Sequence, residues 1–274
     1  MSIEVIAELG INFNGNMTTA KQLISVAVVG GCHFVKFQKR DIDLVYTKEE
    51  LDSPRESPWG TTFREQKAGL EFGIKEYDEV DAFCKSMGIR WFASVWDVNS
   101  FDFINSYDVP FIKIPSALIT NDKLLNKTKE TNKGIILSTG MSTIDMIDHA
   151  VEVVGKDRIY SIMHCTSTYP CHSAEMNLNC IKTYKERYPF TKIGFSNHSP
   201  GLPYIPAAIA LGAEMIEFHI TLDRSMYGSD QAASIEPAGI MHIGKWARSL
   251  EGGLGDGIKR IYSSEESIIK KLRR

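Results

Sequence analysis

The chain has 274 residues, 43% hydrophobic and 24% charged, and its 31 basic and 34 acidic side chains leave a formal charge of −3. That balance excludes disordered, collagenous and fibrous classes and gives no general attraction to nucleic acid. No apolar run approaches the roughly 18 residues of a membrane span. Five cysteines without metal-site spacing, an odd number behind no signal peptide, point to a reduced cytoplasm.

In chain order, β-branched runs alternate with amphipathic ones. A strand at 3–8 (IEVIAE) is followed by a helix over 17–30, then a strand at 32–37 (CHFVKF). Residues 39–72, with Pro54, Pro58, Trp59 and Gly60, read as one long loop. A connection of that length is either a lid or substrate wall, or a decoration. Helices over 75–87, 98–106, 121–131, 142–154, 176–187 and 202–212 then alternate with strands at 89–95, 110–114, 134–138, 159–164, 191–195 and 214–220. A helix over 237–249 closes the series. Gly88, Gly155 and Gly212 stand where helices stop before the next strand. Eight such units imply a parallel sheet, and at this length a (β/α)8 TIM barrel over 1–257, with a charged helical tail over 258–274. A doubly wound open sheet is the alternative.

In a barrel of this type, function collects at the C-terminal strand ends. Those positions hold Glu8, Lys36, Gln38, Ser94, Lys113, Ser116, Ser138, His164, Ser167, Tyr169, Ser196, His198, Glu217, His219 and Asp230. Two lysines inside strands suit an anionic phosphorylated acid, helped by the nearby hydroxyls. The alternative is a structural ion network with Glu8 and Glu217. His198 and His219, at adjacent strand ends, suit an open metal site for zinc, manganese or iron, or are two packed imidazoles. His33, His149, His172 and His242 have no comparable setting. GLGDG at 253–257 follows a helix and lacks a Walker lysine, so it reads as a turn and not a nucleotide loop.

The stretches IAELGINFNG (6–15), VKFQ (35–38), FIKIPS (111–116), LSTGMS (137–142), HCTSTYP (164–170), GFSNHSPG (194–201) and IEFHITLD (216–223) run in collinear order. With the SD/SIEP stretch that follows, they resemble the sialic acid synthase family, phosphoenolpyruvate-dependent condensing enzymes with a (β/α)8 catalytic domain. The resemblance implies that phosphoenolpyruvate is joined to an open-chain N-acyl hexosamine, typically N-acetylmannosamine or its 6-phosphate, with release of phosphate. It implies a divalent ion on His198 and His219, manganese first and magnesium or cobalt as alternatives. It places Lys36, Lys113, Ser94, Ser116, Ser138 and Ser196 around phosphoenolpyruvate, and Glu8 and Gln38 near the reacting centre. Asp230 falls near the metal and sugar, and Ser167 and Tyr169 on the sugar side.

Several positions depart from the family pattern. Leu118 stands where a glutamate is common, Ser167 where asparagine is, and Phe13 and Gln231 where histidines are. Many relatives continue into an antifreeze-like domain that covers a partner's sugar site; the resemblance implies a homodimer, and either a short form, with the 39–72 loop taking over part of the covering role, or a separate chain that supplies the lid. A non-catalytic relative, or a metal-dependent sugar isomerase or lyase, remains the competing reading.

Overall fold

A computed structural model describes residues 3–273. Ten strands occur among them: β1 (Glu4–Gly10), β2 (Phe34–Lys39), β3 (Pro54–Ser57), β4 (Gly60–Thr62), β5 (Arg90–Val95), β6 (Phe111–Ile114), β7 (Gly134–Ser138), β8 (Ile159–His164), β9 (Lys192–Asn197) and β10 (Met215–His219). Eight of them close into a barrel in the order β1-β2-β5-β6-β7-β8-β9-β10, and every neighbouring pair is parallel. The eight strands expected from the sequence are these eight. Their apolar runs are buried on both faces, inward against the barrel interior and outward against helices. The N-terminal end is filled by Phe34, Phe92 and Phe111, edge to face with centroids 5.3–5.9 Å apart. Tyr160 packs on Phe111 at 4.1 Å and its hydroxyl donates to Glu4 Oε1 at 2.6 Å.

The helices begin where side chains can satisfy their free N–H groups. Asn16 caps α1 (Met17–Val29), Asp97 caps the helix Val98–Asn105, and Thr143 caps Ile144–Val154. The helix expected over 121–131 is shorter, Asp122–Lys127, and tightens into a 3-10 turn at Thr128–Glu130. There the Thr128 hydroxyl donates to Leu125 O at 2.6 Å and competes with the regular helical bond. The helix expected from 176 starts at Cys180, and the one expected to end at 249 runs on to Gly253 as Pro237–Gly253.

The segment 39–72 differs most from expectation. It carries two single-turn helices (Ile42–Val45 and Lys48–Leu51), the antiparallel β3–β4 hairpin, and the helix α4 (Phe63–Leu70). Reciprocal capping boxes hold two of these starts, Thr47 with Glu50 and Thr62 with Glu65. Elements of three to eight residues are too short for hydrophobic periodicity to reveal. Beyond Leu254 the chain lies exposed, with a last helix at Glu266–Leu272. No helix among the described residues is long and apolar enough to cross a membrane.

The ring of helices closes through a backbone contact. A Cβ at Gly244, in Pro237–Gly253, would lie 1.9 Å from Gly30 O at the end of α1. Gly244→Ala is therefore expected to lower stability by about 1–3 kcal/mol through overpacking. Urea denaturation measures it, and a midpoint equal to that of the unsubstituted chain would show that the two helices separate freely.

Candidate active site

Strand register brings the expected residues to one level. Glu8 lies opposite Lys36 on one side and His219 on the other. Gln38 lies opposite Ser94, Ser94 opposite Lys113, and Ser196 opposite Glu217. Alternation along each strand then aims these side chains into the barrel mouth. They line a cavity of about 200 Å³ together with Ser116, Ser138, Ser167, Tyr169 and His198. Asp230 lies outside that lining, with Oδ2 3.7 Å from His219 Nδ1. The thirteen residues that the resemblance assigns to the site are thus brought to one end of the barrel.

The floor of the cavity is a buried charge cluster. Glu8, Lys36, Lys113 and Glu217 are each no more than 3% exposed. Lys36 Nζ is 2.7 Å from Glu8 Oε2 and 3.6 Å from Glu217 Oε1, and Lys113 Nζ is 2.7 Å from the same Glu217 oxygen. Ser196 Oγ donates to that oxygen at 3.2 Å, and Gln38 Nε2 donates to Glu8 Oε1 at 2.8 Å. The two readings of the lysines are therefore not exclusive. They form an ion network, and they also face a cavity. Lys113 meets one acceptor among the described residues, so two of its three N–H groups remain for a ligand. Burial pushes the Glu217 carboxyl up, but Lys113 and Lys36 together outweigh it and bring it down to about 2. Burial and the facing Lys36 ammonium lower Lys113 against the pull of Glu217.

The hydroxyl rim comes from loops packed tightly together. Ser116 Oγ accepts from Gly140 N at 3.0 Å. A Cβ at Gly140 would stand 2.0 Å from Ser167 Oγ and 2.9 Å from Ser116 Oγ, so the glycine leaves both hydroxyls room where the loops after β7 and β8 meet.

The two histidines differ in how far their surroundings fix them. His198 Nδ1 lies 2.6 Å from Thr166 O. A carbonyl can only accept, so Nδ1 carries the proton and Nε2 presents a lone pair. That lone pair accepts from the Tyr169 hydroxyl at 2.8 Å. Burial, then the His219 charge, brings His198 down to about 3, so the ring is neutral at pH 7. His219 Nδ1 is buried without a hydrogen-bond partner among the described residues, and the two rings are 6.0 Å apart. A neutral imidazole with a fixed lone pair and a second imidazole with an unpartnered buried nitrogen fit a divalent ion. No group of three or more His, Cys, Asp or Glu side chains among the described residues could hold one. Further ligands must be water or substrate, as an open site requires.

The cavity also contains residues that the sequence reading left out of the site. Trp96, one position beyond β5, lines it with a buried Nε1–H that has no partner among the described residues. Its position directly after a strand was the available signal. Glu217, read at its strand end and as a counter-ion but given no ligand role, lines the cavity two residues before His219. His164 points away from the mouth: its Nε2 bonds to Met176 O at 2.8 Å and its ring packs against Tyr184. The departing positions have structural roles. Phe13 is buried 4.4 Å from Phe72, Leu118 packs against the core, and Gln231 donates to Asn12 O at 3.1 Å.

A closed parallel barrel with a lysine- and histidine-lined cavity at its C-terminal strand ends has the architecture of a barrel enzyme. Sequence comparison is more particular. The NeuB family profile matches residues 23–259, and the chain belongs to that family. It is 39% identical over 241 residues to the N-acetylneuraminate-9-phosphate synthase of Drosophila melanogaster, covering 86% of this chain and 64% of that protein. It is 33% identical to the human protein of the same name, over 98% of this chain and 76% of the relative. The N,N'-diacetyllegionaminic acid synthase of Campylobacter jejuni is 34% identical, with 98% and 83% covered. The sialic acid synthetase of Leptospira borgpetersenii, solved with citrate, superposes with a TM-score of 0.87 at 28% identity, covering 100% of this chain and 93% of that one. A Thermotoga maritima 3-deoxy-D-arabino-heptulosonate 7-phosphate synthase shares the fold, at TM-score 0.71 and 15% identity over 94% of this chain and 90% of the other.

Because Glu217 serves both lysines, Glu217→Gln leaves two buried ammoniums with one carboxylate. The expected loss of stability is about 3–5 kcal/mol. Chemical denaturation decides it, and a loss under about 1 kcal/mol would show that one lysine is neutral in the folded chain.

Proposed function

We propose that the chain is a phosphoenolpyruvate-dependent transferase that condenses phosphoenolpyruvate with an open-chain N-acyl hexosamine to form a nonulosonic acid. The observation that carries this reading is one cavity holding the Lys36–Lys113 pair, with unspent N–H donors on Lys113, together with the His198–His219 pair. The names of the relatives, synthases of sialic and legionaminic acids, support it.

C3 of the enolpyruvate bonds to the aldehyde carbon of the sugar, water adds at C2, and the C2–O bond breaks to release phosphate. Lys36 and Lys113 bind the anionic groups of the enolpyruvate by charge-assisted hydrogen bonds, with Ser94, Ser116, Ser138 and Ser196 as neutral donors. Their fixed positions stabilise charge as phosphate leaves. Glu8, oriented by Gln38 and Lys36, positions the water or a sugar hydroxyl. Tyr169 and Ser167 line the sugar side, and Asp230 stands beside His219. His198 and His219 would hold a divalent ion, manganese first, which when bound supplies Lewis-acid polarisation of the aldehyde oxygen. Thr166 O fixes the tautomer that ligation by His198 needs, and the Tyr169 hydroxyl must give up its bond to Nε2. The same reading carries a homodimer and a cytoplasmic setting, on the family resemblance.

The test is phosphate release from phosphoenolpyruvate with manganese, across N-acyl hexosamines and simple aldoses, with a chelator control. Sugar-dependent, chelator-sensitive release is expected, and its absence with every acceptor refutes the reading. His198→Ala and His219→Ala should each abolish turnover; normal rates in either would remove the metal assignment. Lys113→Met should weaken phosphoenolpyruvate binding by at least about 2 kcal/mol. An unchanged affinity would leave Lys113 a structural role alone.

A further inference from the structure

His198 Nε2 has a single lone pair, and two hydroxyls lie near it. Tyr169 donates to it at 2.8 Å, and Ser196 Oγ stands 3.5 Å away. The one proton of Ser196 is already given to Glu217 Oε1, so the lone pair belongs to Tyr169. The phenol ring also packs against both imidazoles. It stacks on His198 with centroids 4.1 Å apart and meets the His219 ring edge-on at 5.5 Å. Tyr169 is nonetheless 47% exposed, which leaves its side chain room to turn.

The backbone that carries Tyr169 has no such freedom. His198 clasps both ends of the segment 166–171: its Nδ1 donates to Thr166 O at 2.6 Å, and its carbonyl accepts from Cys171 N at 3.1 Å. The Thr166 hydroxyl ties the same end to Glu175 O at 2.9 Å. Tyr169 stands between these anchors, so the motion open to it is rotation of the side chain. Ser167 of the same segment lines the cavity beside it.

We propose that Tyr169 is a hand-over residue: its hydroxyl caps His198 Nε2 until a divalent ion takes that lone pair, and then turns to the acceptor sugar. The inference rests on the metal assignment within the transferase reading and deepens it to how that site is regulated. A donated O–H and an ion exclude each other on one lone pair, so the strength of the Tyr169 bond is subtracted from the affinity for the ion. The same hydroxyl, once released, can donate to or accept from a sugar oxygen. A phenol that only steadied the His198 ring for ligation would have the opposite effect on the ion. Thr166 O already fixes that ring, so the steadying is supplied without Tyr169.

The test is manganese binding without substrates, read from the electron spin resonance of the free ion. It compares the unsubstituted chain with Tyr169→Phe, which keeps the ring and removes the hydroxyl. The variant is expected to bind manganese about two- to tenfold more tightly, the net worth of one neutral hydrogen bond. Added manganese should also shift the near-ultraviolet tyrosine absorbance of the unsubstituted chain, and that shift should vanish in the variant. Equal or weaker affinity in Tyr169→Phe overturns the inference, as does an unsubstituted chain that binds no manganese. On the acceptor side the same substitution should raise KM for the sugar by about two- to tenfold and leave KM for phosphoenolpyruvate unchanged. A sugar KM that stays the same shows that the hydroxyl is not handed over and overturns the inference likewise. Should no acceptor turn over, the transferase reading fails separately; calorimetric binding of the sugar to the manganese-loaded chain then replaces KM, and tighter ion with weaker sugar in the variant still upholds the exchange at His198.

Discussion

The single oxygen Glu217 Oε1 organises the barrel mouth. It meets Lys113 at 2.7 Å, Lys36 at 3.6 Å and Ser196 Oγ at 3.2 Å, from three other strands. Buried charges are tolerated only when paired and hydrogen-bonded. The second pair, Glu8 with Lys36, makes the cluster neutral as a whole, two ammoniums against two carboxylates. That neutrality lets the lysines persist where water is scarce. The cluster offers the cavity unspent N–H directions on Lys113 rather than a net positive charge.

The imidazole pair follows the same logic one layer further out. His198 is set by Thr166 O on one side and Tyr169 on the other, so its useful nitrogen is defined before any ligand arrives. His219 is placed by register against Glu8 and by the close approach of Gly10. The rim is held by similar close contacts, Gly140 against Ser167 above all. The mouth is therefore a set of positions dictated by strand pairing, with loops fitted to it.

The strands and the strand-end residues were legible because parallel strands buried on both faces leave continuous apolar runs with polar residues at one end. The order of motifs then carried the family. What the sequence did not show is equally specific. The short elements between Lys39 and Phe72 are held by capping boxes and by aromatic contacts with distant loops, not by periodic patterning. Trp96 carries no motif, and its unpartnered N–H is visible only once the cavity is. Phe13 and Gln231 depart from the family pattern. In the fold Phe13 is a ring packed on Phe72 and Gln231 a buried amide that holds the first loop to the last, and both depend on partners more than fifty residues away.

The closure of the barrel has a consequence for how the chain acquires its structure. β1 pairs with β10, so Glu4 lies beside Met215, and α1 touches Pro237–Gly253 through Gly30 and Gly244. Contacts of such long sequence separation form slowly, because loop entropy is lost before they are made. The carboxylates that neutralise Lys36 and Lys113 reside on the first and last strands of the barrel. Until those two strands meet, the lysines have no complete set of counter-ions and gain by staying hydrated. Ring closure and charge neutralisation are thus one event, and a partly assembled barrel keeps an open, wet seam where the finished one has its reaction chamber.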